Sequence, residues 1–181
     1  MMSDDVKHGQ VISRVKQWLH DVVIGLNFCP FAKKEFERNS IRFHVEAGLN
    51  EKHSLATLLD ELTALDADPN IETTLIIYPN SYQDFHRYLD WLDMAMAIVE
   101  NGAYRGIYQI ASFHPDYCFA DSCADDPANF TNRSPFPMLH ILRESSLSRV
   151  LEHFPNPEQI PERNILKARN MGLDALQAIL K

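Results

Sequence analysis

Three short apolar segments, 41–47, 73–78 and 107–113, are held apart by stretches of helical periodicity, and this alternation restricts the fold more than any other feature of the chain. In the first, Ile41, Phe43, Val45 and Ala47 alternate with Arg42, His44 and Glu46, the period of a strand with one wet face. Residues 73–78 are continuously apolar or β-branched, as in a strand covered on both sides. Before them, Val11, Ile12, Val15, Trp18, Leu19, Val22, Val23 and Leu26 recur at the spacing of one helix face. That helix should stop near 25–27, because Pro30 disfavours helical geometry at Cys29. Asn50 can cap a helix carrying Leu55, Leu58, Leu59, Leu62 and Leu65 as far as Asp68, and Ser81 can cap another carrying Tyr82, Phe85, Leu89, Leu92, Met96 and Val99.

Beyond the third strand, residues 114–137 show no sustained period, and a loop of that length in a compact domain usually has a function or is disordered. Pro137 suits the first turn of a helix reaching about 151, and Pro161 that of a terminal helix to 180. The expected architecture is α/β or α+β: a small sheet of about three or more strands with helices packed on it, 73–78 inside the sheet, and one domain over 1–181.

Composition narrows the partners. Of 181 residues, 45% are hydrophobic and 23% charged, which excludes disordered, collagen-like and coiled-coil chains. Seventeen Lys and Arg against twenty-five Asp and Glu leave a net charge of −8, a surface that repels nucleic acid and anionic lipid. Three cysteines do not make a disulfide framework, which fits a reducing compartment. No signal-type start and no apolar run of membrane-spanning length appears, so a cytoplasmic location and no membrane partner are expected.

The long loop concentrates the chemistry. Phe-His-Pro-Asp-Tyr-Cys-Phe-Ala-Asp-Ser-Cys runs from 113, and Thr-Asn-Arg-Ser-Pro-Phe-Pro from 131. His114, at the carboxyl end of the third strand, falls where open sheets place a ligand crevice. His140, Arg143 and Glu144, at offsets of three and four, share one face of the expected helix after Pro137. Thr131, Asn132, Arg133 and Ser134 precede that helix start, where free N–H groups favour an anion and Arg133 adds a bidentate grip. The arrangement suggests an anion held by Arg133 and Arg143, with His114 or His140 moving protons under the orientation of Asp116 or Glu144. Covering-loop turns and a solvated surface trio are the plainer alternatives.

A metal held by His114, Asp116, Asp121, Asp125, Asp126 and His140 is a second reading, and the sequence identifies neither metal nor cofactor. Cys29, among Leu26, Phe28 and Phe31, is either a buried thiol or a nucleophile needing His114 or His140 nearby. Three classes therefore compete: an enzyme acting on a small anionic molecule, a non-catalytic ligand-binding or regulatory module using the same pocket, and an interaction protein exposing Phe28, Phe31 and Phe136. The oligomeric state is open.

Gly-Leu-Asn-Phe-Cys-Pro-Phe-Ala at 25–32, Tyr-Gln-Ile-Ala-Ser-Phe-His-Pro from 108, and Thr-Asn-Arg-Ser-Pro-Phe-Pro from 131 with His140, Leu142, Arg143 and Glu144 together resemble an uncharacterised bacterial family, domain-of-unknown-function family 1415. The resemblance spans nearly the whole chain and implies a bacterial, cytoplasmic protein, with no activity to transfer. Family members more often carry Leu at position 28 and Tyr at 136, and Cys118 and Cys123 lie outside the shared pattern.

Overall fold

A computed structural model describes residues 4–152 and 154–180. Four strands form one sheet in the order β1-β2-β4-β3, where β1 is Ile41–Val45, β2 Thr73–Ile77, β3 Tyr108–Phe113 and β4 Met138–Arg143. β1 and β2 are parallel, and β4 runs antiparallel to both of its neighbours, β2 and β3. The mixed sheet and its helices make this an α+β fold, as the alternation predicts. β2 is buried along its whole length, so its run of β-branched and apolar residues reflects cover on both faces.

The principal correction falls on β4. Residues 138–143 are a strand, and only the residues from Glu144 onward are helical, in α5 (Glu144–Glu152). Met-Leu-His-Ile-Leu is a contiguous apolar run whose period cannot separate strand from helix. Partners decide it: Tyr78 donates its N–H to the Pro137 carbonyl at 3.0 Å, so the ladder begins at the proline itself.

Helices cover both faces. α3 (Glu51–Ala67) and α4 (Phe85–Asn101) bury Leu58, Leu62, Trp91 and Ala95 against Ile76, Leu139 and Ile141. As expected, Asn50 caps α3 by accepting from His53 N–H at 3.0 Å. α4 starts later than expected, because Asp84 instead of Ser81 accepts the first free N–H, from Arg87 at 2.9 Å.

On the other face, α1 (Asp4–Trp18) brings Val15 and Trp18, while α6 (Ile160–Met171) and α7 (Leu173–Leu180) bring Ala168 and Leu176, over Leu75, Ile77 and Met138. The expected terminal helix is two, broken where Gly172 takes φ 81°. α1 passes into a π-helical turn, Leu19–Ile24, and stops at 25–27 as expected. A Cβ on Gly25 would run into the Asp21 carbonyl, so the tight exit from this turn needs a glycine. The short helix α2 (Ala32–Glu37) then leads into β1, an element too brief to show a period in the sequence.

Candidate functional site

The loop that looks most catalytic in the sequence is riveted to itself. His114 is fully buried: its Nε2 donates to the Tyr82 carbonyl at 2.9 Å and its Nδ1 accepts from Asp116 N–H at 3.0 Å. Phe85 and Tyr88 pack against the ring at 5.0 Å each, and burial lowers its pKa. Both ring nitrogens are engaged, so no proton is free to move to a ligand. The Asp116 side chain faces outward in an exposed position.

Arg133 donates to the carbonyls of Tyr117 at 3.1 Å and Ala124 at 2.8 Å, and its guanidinium sits 4.6 Å over the Phe130 ring. Thr131 donates to the Ala128 carbonyl, Asn132 to that of Ser112, and Ser134 to that of Phe136. At the centre, buried Asn129 accepts from Phe119 N–H at 3.0 Å and Ser122 Oγ at 2.7 Å while donating to the Cys123 carbonyl at 2.8 Å. Asp126 caps the 3-10 turn Pro127–Thr131, and Arg169 holds its carboxylate at a pKa of about 2.

Because 138–143 is a strand, His140 and Arg143 project from opposite faces of the sheet. Arg143 donates to the carbonyls of Leu65, Asp68 and Ile71 at the end of α3 and to Tyr108 Oη at 3.2 Å. It thus satisfies carbonyls that a helix end leaves without partners. The register pairs Arg143 with Tyr108, whereas Arg133 adjoins Asn132, which bonds the other end of β3. At the rise of a strand, that separates the two arginine backbones by about 17 Å, so the expected convergence on one anion does not occur. Glu144 opens α5, its N–H donating to the Ile107 carbonyl at 2.9 Å.

His140 lies elsewhere, at the floor of a cavity of about 260 Å³ between the sheet and the helices of the α1 side. Its neighbours across β4 are Leu75 on β2 and Ala111 on β3. The single methyl of Ala111 leaves space that a larger residue would occupy. Trp18 and Val23, on α1 and the π-helical turn, form one wall, and Phe113 packs edge-on against Trp18 at 5.1 Å. A π-helical turn beside a cavity is a frequent mark of a functional site. Leu142, Leu147 and Val150 line the far side, and polar groups are few: Glu35, Glu72, Thr73, Arg143 and Ser146 besides the imidazole. A wider hollow of about 510 Å³ runs along α6, but its lining comes from 159–171 alone and no second element closes it.

His140 Nε2 is 2.6 Å from Thr73 Oγ1, which gives its own hydrogen to the Ile141 carbonyl at 2.5 Å. Enclosure by apolar groups pushes the imidazole pKa down to about 4. Cys29 lines the same cavity; burial raises its thiol pKa, although Phe31 and Ala32 N–H groups point at the sulfur. It has no hydrogen bond to either His140 or His114 among the described residues, so the nucleophile reading has no base. Cys29 also borders a second cavity of about 300 Å³ with Phe119, Thr131, Asn132 and Asn164.

Among the described residues no three His, Cys, Asp or Glu side chains come together as metal ligands. His114 and His140 lie on opposite faces of the sheet, and Asp121 and Asp125 are exposed. The apolar patch expected of an interaction protein is also missing at the residues named for it. Phe28 is buried, Phe31 packs edge-on against Phe154, and Arg14 lies over Phe136.

The fold and cavity define a helix-covered mixed-sheet α+β protein with a half-open, largely apolar pocket. The chain belongs to the family described as protein of unknown function (DUF1415), whose model matches residues 10–178. No curated protein and no solved structure is significantly similar to it. No helix among the described residues is long and apolar enough to cross a membrane.

Proposed function

We propose that the protein is a non-catalytic binding module for a small, largely apolar molecule held in the cavity above His140. One observation carries this reading: a half-open, mostly apolar cavity of about 260 Å³, walled by Trp18, Leu75, Phe113, Leu142 and Leu147, with one imidazole at its floor. Ligand sites are mostly apolar with a few placed polar groups, and an apolar cavity of roughly 150 Å³ already accepts benzene. Its volume suits one or two rings or a short branched chain.

The enzyme reading would need a proton-transfer partner for His140, and its hydrogen bond goes to a threonine. An imidazole does meet a carboxylate where His44 Nδ1 lies 2.9 Å from Glu61, beneath α3. Burial alone would raise the pKa of Glu61, but hydrogen bonds from His44 and Arg42 outweigh it and hold the carboxyl at about 2, the mark of a closed ion cluster. The anionic substrate loses its support because the Arg133 and Arg143 guanidinium groups are occupied by backbone carbonyls.

Thermal unfolding with increasing toluene tests the module. Toluene should raise the wild-type Tm in a saturable way. Ala111→Leu, which fills the floor, should remove the shift while the variant still unfolds cooperatively. A flat wild-type response, or an unchanged shift in the variant, would refute this reading.

A further inference from the structure

The hydrogen-bond chain beneath the cavity settles which tautomer the imidazole adopts. Thr73 Oγ1 has one hydrogen and directs it to the Ile141 carbonyl. Towards His140 the oxygen can therefore only accept, so Nε2 carries the ring proton and Nδ1 is left with a lone pair. Nδ1 has no partner among the described residues and is not among the side-chain atoms sealed from solvent without one. The atom is thus reachable by solvent without a partner, and His140 belongs to the cavity lining.

Resting on the binding-module reading, we propose that the cavity selects an uncharged ligand whose apolar body carries a hydrogen-bond donor, a phenolic or alcoholic O–H or an amide N–H, accepted by His140 Nδ1. Thr73 is the positioning residue that fixes the tautomer. A ligand lacking the donor would leave the nitrogen unbonded in an apolar enclosure, which is costly. A carboxylate would bring only acceptors to a lone pair. The low basicity of the ring also keeps it from becoming the cation that would welcome one. Donor recognition at a single point is the kind of contact by which apolar sites separate ligands of equal shape.

The test compares toluene, phenol and sodium benzoate by calorimetric titration against wild type, His140→Phe and Thr73→Val. Phenol should bind wild type about five- to tenfold more tightly than toluene, the effect of one good hydrogen bond, and benzoate more weakly than either. His140→Phe should keep toluene affinity and lose the phenol advantage. Long-range ¹H–¹⁵N spectra should show His140 as the Nε2–H tautomer in wild type, its Nδ1 resonance moving with phenol, and a tautomer mixture in Thr73→Val with reduced phenol preference. Equal binding of phenol and toluene, tightest binding of benzoate, or an Nδ1–H tautomer in wild type would overturn the proposal while leaving the module intact. Binding of none of the three would overturn the module and the proposal together.

Discussion

Residues 114–137 and the cavity above His140 are opposites in composition and in consequence. The loop is dense with His, Asp, Asn, Arg and Ser, and the side chains that count most there are already bonded, His114 to the Tyr82 carbonyl outside the loop and to Asp116 within it, Asn129 to Phe119, Ser122 and Cys123, Arg133 to Tyr117 and Ala124. The cavity is mostly hydrocarbon, and its imidazole keeps a nitrogen with no partner among the described residues. Polar density in a loop without regular structure reflects backbone groups that need partners. An unoccupied acceptor in an apolar space is the rarer arrangement, and it points to a ligand.

The loop depends most on Asn129. Asn129→Ala would leave Phe119 N–H and the Cys123 carbonyl without their partners, a loss of roughly 2–4 kcal/mol in urea unfolding. Toluene affinity should stay as it is in the fraction that remains folded. If Asn129→Ala were neutral for stability, the loop would not be held by its polar groups.

Acid should separate the two regions next. The folded-state pKa of His140, about 4, lies below its ordinary 6.5, so the unfolded chain takes up the proton first as pH falls. Stability is then full above pH 6.5 and declines through the window from 6.5 to 4, by roughly 3 kcal/mol for a difference of this size. His114, also lowered by burial, adds a decline of the same sign that starts from the same upper limit. The contribution of Glu61 is lost later, between about 4.5 and 2. The fall in urea midpoint between pH 7 and 5 should therefore be smaller in His140→Phe than in wild type, but not zero. An identical fall would mean that His140 is not enclosed.

The smallest effect concerns the thiols. Exposed Cys123 should react quickly with a disulfide reagent, whereas Cys29, with its pKa raised by burial, should react severalfold more slowly. Saturating phenol should slow Cys29 further and leave Cys123 unchanged. Acceleration of Cys29 by phenol would place the probe outside the cavity.

Much of this architecture is legible in the chain itself. The alternation from 41 to 113 locates three strands to within one or two residues, because each is a short β-branched or alternating run between capped helices. β4 is not legible, since Met138 to Leu142 suits a buried strand and a buried helix equally and Pro137 favours the wrong one. His140 stands out in the sequence by its chemistry, but its partners do not. Placing it on a helix with Arg143 and Glu144 hides Thr73, which reaches it diagonally across two strands. The cavity is invisible for a different reason. It is made by what Ala111 lacks, and a missing side chain becomes a space only once Leu75, Phe113 and Trp18 are known to surround it.

Soaking a crystal in 4-iodophenol would show where the ligand sits, because the anomalous signal of iodine locates the probe without assumptions about its binding mode. One strong iodine peak is expected inside the cavity, against the wall formed by Trp18, Leu75 and Phe113, with the phenolic oxygen within hydrogen-bond distance of His140 Nδ1. Iodine bound only among the side chains of 114–137, or absent from the cavity at a saturating soak, would contradict it.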